Sequence, residues 1–231
     1  MIPFYHDMGA DYPHADEQPW RHKNVCVYQE QPCPEPIDRL VIYDDMDVII
    51  TPGPLRIMIG SEDKRSIDDV KRSLIMGTLR LGRPSAAQLG RQGFGIGEFR
   101  LPPRPTIAHT DVVVAIQFPE IPNICVEGTG RVYAYDIDQD EVALYLSGEG
   151  HIECFGRAKW VAAILPGHGT IDASGVKAQH GYLINRRSGT IKVHVDTKVM
   201  VKSHGMGRTL ISGRPTMVSQ EISGTGAVEL L

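Results

Sequence analysis

A short turn built on paired glycines returns at a nearly constant interval from about residue 106 onward, and this feature narrows the choice of fold most. The turns are Gly128-Thr129-Gly130, Gly148-Glu149-Gly150, Gly167-His168-Gly169, Arg187-Ser188-Gly189, Gly205-Met206-Gly207 and Gly224-Thr225-Gly226. Their last glycines, Gly130, Gly150, Gly169, Gly189, Gly207 and Gly226, are separated by 20, 19, 20, 18 and 19 residues. A period held over six turns marks a solenoid, in which one coil cannot bury its apolar side until the next coil stacks on it.

The columns between the turns carry the same message. Two residues after each last glycine stand Val132, Ile152, Ile171, Ile191, Thr209 and Val228, and four after stand Ala134, Cys154, Ala173, Val193, Ile211 and Leu230. Six residues before it come Ile124, Leu144, Ala163, Leu183, Val201 and Gln220, and four before it Val126, Leu146, Leu165, Asn185, Ser203 and Ile222. The residues between are mostly polar or mixed, as in Tyr133, Glu153, Asp172, Lys192, Leu210 and Glu229. Alternation with period 2 makes each stretch a strand with one side inward, and like residues then stack coil on coil. The expected fold is all-β, a right-handed parallel β-helix with coils of about 19 residues and a rung spacing of ~4.8 Å. Glycine at the corners is expected to serve a positive φ in the tight bends. Asn185 and Ser203 interrupt an apolar column on neighbouring coils, which predicts a buried hydrogen-bonded step.

Upstream the pattern changes. Residues 1–36 hold six prolines and no sustained period, and read as an extended arm. The β-helix domain then runs over 37–231. Between 37 and 81, short alternating runs such as Leu40-Val41-Ile42 and Leu55, Ile57, Ile59 read as strands. Ile67, Val70 and Leu74 fall at helical spacing behind Ser66, predicting a short helix near 66–76 with Ser66 as N-cap and Asp68 and Asp69 in the first turn. Residues 82–105 form a Gly/Pro-rich loop with GFGIG and LPPRP. A loop of that length is functional or packed on a partner, so it and the arm are the expected contact segments.

At this point the residues resemble a known family. The stretch DVVVAIQFPEIPNICVEGTGRVYAYDI and the following LSGEGHIECFG, LPGHGTIDASG, RSGTIKVHV and ISGTGAVEL repeats are similar to the head GIN domain family of auto-transporter adhesins. The likeness covers about residues 38–231, less the 82–105 loop. It implies a single-stranded β-helix and an adhesin-like role, and it supplies no established chemistry.

Composition and motifs exclude several functions. The 231 residues are 42 % hydrophobic and 23 % charged, with a net charge of −4, which does not fit a nucleic-acid binder relying on bulk positive charge. No apolar run reaches the ~18 residues of a membrane span. The opening MIPFYHDMGADYPHADEQPW has neither a basic leader nor an apolar core, so a virion or cytoplasmic setting is expected over the cell surface. Cys26, Cys33, Cys125 and Cys154 form no C-x-x-C pair and read as four unrelated thiols, with a Cys26–Cys33 disulfide left open. His151, His168, His180, His194 and His204 occupy different columns and do not converge as metal ligands must. Asp136, Asp138, Asp140 and Glu141 lack the glycine repeat of calcium-binding β-rolls and read as a solvated corner. No cofactor is expected.

Three functions are carried forward. The leading expectation is a non-enzymatic structural protein, a rigid β-helix built into a larger assembly such as a phage tail or capsid. Such a protein would be a homo-oligomer or bind protein partners, with terminal Leu230 and Leu231 as end contacts. The alternative is an exported adhesin-like protein holding a glycan or a surface partner. The third is a carbohydrate-active enzyme using Glu153 and Asp172, which share an outward column on adjacent coils at about the separation of a retaining pair. Against that stands Lys192 in the same column, which would offset both acids.

Overall fold

The computed structural model describes residues 27–31, 36–82 and 108–231. In chain order the elements are β1 (Val27–Gln31), β2 (Arg39–Ile42), β3 (Asp45–Pro52), β4 (Arg56–Ser61), α1 (Lys64–Asp69), β5 (Arg72–Ile75), β6 (Thr78–Leu81), β7 (Ala108–Phe118) and β8 (Asn123–Val126). They continue as β9 (Arg131–Leu146), β10 (His151–Leu165), β11 (Thr170–Asn185), β12 (Thr190–Ser203), β13 (Arg208–Ser212), β14 (Met217–Ile222) and β15 (Ala227–Leu230).

The long strands β9 to β12 bend midway, so each rung contributes to two faces. Face A stacks β7, β3, the first halves of β9 to β12, β13 and β15, all parallel. Face B stacks β6, β2, β8, the second halves of β9 to β12, and β14, also parallel. The register is the one read from the columns: Val132 pairs Ile152, Ile152 pairs Ile171, Ile171 pairs Ile191, Ile191 pairs Thr209 and Thr209 pairs Val228. These inward residues are buried up to Thr209, and Val132, Ile152, Ile171 and Ile191 join one continuous apolar core. The fold is therefore a parallel β-helix.

The corner glycines serve a different purpose from the one expected. None of the six last glycines has a positive φ; of the corner glycines only Gly224 does. A Cβ on Gly189 would lie 2.5 Å from the Gly169 carbonyl oxygen, one on Gly207 2.5 Å from that of Gly189, and one on Gly226 2.5 Å from that of Gly207. Gly169 would strike the Gly150 carbonyl in the same way. Glycine is required because equivalent corners stack backbone on backbone at rung spacing, leaving no room for a methyl group.

The helix is shorter than predicted and shifted. It covers Lys64–Asp69, and its N-cap is Asp63, whose carboxylate accepts the Ser66 backbone N–H at 3.0 Å and the Ser66 hydroxyl at 3.1 Å. Ser66 is thus a residue of the first turn, and Asp68 and Asp69 close the helix. Leu74 lies on β5, because Met76 and Gly77 both take positive φ (49° and 70°) and fold β5 onto β6 as a tight hairpin. Such two-residue turns match the twist of paired strands, and the hairpin leaves the helix no room beyond residue 70. Ile67 and Val70 enter the apolar core beside β4 and β7, so the helix covers the N-terminal end of the solenoid.

The described part of the arm covers that end too. β1 pairs antiparallel with β4, which pairs antiparallel with β7. It does not reach the other end, where Met217, Ile222, Leu230 and Leu231 are exposed. The chain also threads out of order: the β2–β3 rung lies between the β6–β7 rung and the β8–β9 rung. The connection between Leu81 and Ala108 therefore leaves from a corner, where other rungs carry their glycine turn. Its residues 83–107, most of the predicted loop, lie outside the described residues, as do Cys26 and Cys33. The polar step in the core forms at Asn185, whose amide donates to the carbonyls of Gly189 (2.9 Å) and Arg208 (3.2 Å); the Ser203 hydroxyl has no partner among the described residues.

Candidate functional site

The two faces share one backbone plan and differ in what they show to solvent. On face A the outward residues pair with each other. Arg131 holds Asp47 at 2.7 Å, His151 lies 3.6 Å from Glu153, Lys192 holds Asp172 at 2.9 Å and Arg208 holds Glu229 at 3.0 Å. The bend between the faces does the same: Arg157 pairs Asp138 at 2.9 Å and Lys159 pairs Asp140 at 2.8 Å. The acidic run from Asp136 to Glu141 is thus partly neutralised by the rung above it. Opposite charges directly across a ladder stabilise a sheet modestly.

Glu153 and Asp172 are register neighbours, as expected. Burial pushes the Asp172 carboxyl up, but bonds from the Lys192 ammonium and from the Ser174 hydroxyl and N–H together outweigh it and hold the pKa below its ordinary 3.8. Asp172 is therefore an ionised, occupied carboxylate. Its depressed pKa adds stability above about pH 3.8, and that contribution is lost as pH falls through the still lower folded value. Lys192→Met leaves burial less opposed, so the variant is expected to lose about 1 kcal/mol at pH 7. The gap from the parent should shrink in urea melts below about pH 4; a gap independent of pH would contradict this account.

Face B is different. Its outward columns over β8 to β12 read Cys125, Tyr145, Ile164, Ile184 and Lys202; Asn123, Ala143, Ala162, Tyr182 and Met200; and, nearer the bend, Glu141, Trp160, His180 and Lys198. Trp160 is 46 % and Tyr145 37 % exposed, and the Trp160 and His180 rings lie 4.4 Å apart, tilted by 40°. An open groove of about 470 Å³ runs between Arg39, Asn123, Cys125, Glu127, Tyr145 and Ile164. Burial raises the Cys125 thiol pKa, Arg39 opposes this and Glu127 adds to it, so the groove offers no thiolate at neutral pH. Cys154 is buried inside the coil and its thiol is pushed up by burial.

The histidines find separate partners. His168 meets the Ser188 hydroxyl at 2.7 Å, His204 that of Ser223 at 2.7 Å, and His194 lies 3.1 Å from both Ser212 and Asp196. Among the described residues no three potential ligands lie close enough to hold a metal, and no helix is long and apolar enough to cross a membrane. Sequence reasoning missed face B because it looked for polar chemistry between the inward columns. The signal was present in Tyr145, Ile164, Tyr182, Ile184 and Met200, apolar residues at outward positions.

Comparisons with known proteins agree with this architecture. The family model described as "Putative auto-transporter adhesin, head GIN domain" matches residues 38–215. A putative adhesin from Bacteroides fragilis superposes with a TM-score of 0.58 at 14 % identity, covering 89 % of this chain and 96 % of that one. A putative lipid binding protein from Parabacteroides distasonis (TM-score 0.48, 16 % identity, 89 % and 96 %) and a putative adhesin from Parabacteroides merdae (0.47, 13 %, 89 % and 95 %) are also similar. No curated protein matches the sequence.

Proposed function

Because this chain belongs to the head GIN domain family, we propose that it is an adhesin-like interaction protein which holds a surface partner or glycan by contact and turns nothing over. The observation that carries this reading is the asymmetry of the solenoid: face A satisfies its own charges, whereas the outer side of face B presents aromatic and aliphatic residues to solvent. Contiguous apolar patches of several hundred Å² on a folded surface mark contact sites, and Tyr, Trp and Met are enriched where proteins bind. The family supports the adhesin-like role in preference to a virion component. A rigid stack suits such a role, since a preformed flat face loses little freedom on binding.

Beads coated with the chain and presented to bacterial cells, to a glycan array and to each other test this. Replacing Tyr145 and Trp160 together by Ala should lower adhesion at least about tenfold, as loss of aromatic anchors does. The face A variant Arg208→Ala should adhere like the parent. Adhesion that survives the face B change, or that is lost with Arg208→Ala, would overturn the assignment.

A further inference from the structure

We infer that the partner of face B is a second copy of this chain, packed face to face with its solenoid axis antiparallel. The inference rests on the reading of face B as the contact face. It comes from the order of residues along the three outward columns, which is complementary to its own reverse.

A two-fold axis lying in the plane of the face, parallel to its strands and between β10 and β11, leaves each column facing itself with the rung order inverted. In the column nearest the bend, consecutive rungs carry Glu141, Trp160, His180 and Lys198. Inversion sets Glu141 against Lys198 of the partner subunit, twice, and Trp160 against the partner's His180. Among the described residues Glu141 and Lys198 carry no ion pair within the chain. In the middle column the order Ala143, Ala162, Tyr182, Met200 inverts so that each alanine meets a large side chain, Ala143 with Met200 and Ala162 with Tyr182. In the third column Ile164 meets Ile184. Charge, volume and apolar character therefore match in one register, whereas a parallel pairing would lay the charged column over the Tyr145 column.

The dimensions fit. About this axis the six rungs from β8 to β14 overlap, about 24 Å at ~4.8 Å per rung and about 17 Å across five residues, so the contact removes roughly 800 Å² over both copies. That is the size of a weak, transient contact, below the ~1,200 Å² of a stable one, and points to association only at high micromolar concentration. Sheets packed in this way interdigitate at ~10 Å. The result is an isologous contact that closes on itself.

Sedimentation velocity on the full chain reads the outcome. The parent should be a dimer at high micromolar concentration. Glu141→Lys and Lys198→Glu should each weaken association roughly tenfold or more, since two like-charge contacts replace two attractive ones. An equimolar mixture of the two variants should restore dimers to within about threefold of the parent, as heterodimers resolved by native mass spectrometry. Unchanged circular dichroism in each variant separates lost contact from lost fold. A monomeric parent, dimers indifferent to both swaps, or a mixture that stays dissociated would each overturn the inference. If the parent is monomeric while Tyr145 and Trp160 remain essential for bead adhesion to cells or glycans, face B serves a foreign partner and the proposed function stands. If neither assay responds to face B, both fall.

Discussion

Ile171→Asp is expected to cost roughly 5 kcal/mol of folding free energy. Ile171 is fully buried, with Ile152 below it and Ile191 above it in register, and neither neighbour can hydrogen-bond a carboxylate. Such a loss is comparable to the whole stability of a modest domain, about 5–15 kcal/mol. Urea melts followed by circular dichroism measure it, and Ile171→Val, at about 1 kcal/mol, calibrates the site. The pH profile identifies the mechanism. A carboxyl forced into the core has its folded pKa raised above the unfolded value, so it is tolerated best when protonated. The variant should therefore regain part of its stability as pH falls toward 4. A melting temperature close to the parent's at pH 7 would mean that the column does not face inward.

Gly169→Ala is the second large effect, and its sign decides between two explanations of the corner. At an ordinary φ, exchanging glycine for alanine reduces the entropy of the unfolded chain and stabilises by about 0.4–1 kcal/mol. Gly169 has no positive φ, so local conformation alone predicts that gain. Its Cβ, however, would overlap the Gly150 carbonyl and the Leu146 side chain, the latter at 2.8 Å. Backbone atoms cannot step aside without opening the rung spacing, so we expect a loss of about 3 kcal/mol, at the upper end for overpacking. Met206→Ala, at an exposed position of a later corner, should be nearly neutral. A stabilised Gly169→Ala would refute the stacking explanation.

The repeat region was readable because two signals with different causes agree there. Apolar alternation follows from burying one side of a strand, and glycine recurrence follows from stacking corners. Together they place Ile152, Ile171 and Ile191 in one column without reference to coordinates. The N-terminal third lacks that redundancy. Ile67, Val70 and Leu74 suit a helix by spacing, yet the Met76–Gly77 turn recruits Leu74 into a hairpin, and the turn has no Asn-Gly or Asp-Gly signature to announce it. The insertion of β2–β3 between later rungs is set by pairings such as Asp47 with Arg131, 84 positions apart, which no local pattern encodes. Face B was hidden for another reason. An apolar residue at an outward position looks like a blemish in the alternation until the fold shows that Tyr145, Ile164, Tyr182 and Met200 share one side.

That insertion has a consequence for biosynthesis. Strands β2 and β3 are made early, but β8 and β9, which flank them, emerge only with residues 123–146. Until then their hydrogen-bonding edges are open, and β6 and β7 can cover only one of the two sides. The repeats that follow need only the coil before them, so they can assemble as they leave the ribosome, while the opening rung waits for its neighbours. Truncation before residue 146 should therefore yield an aggregation-prone fragment, whereas removing the last rung should shorten the shaft and leave the remainder intact.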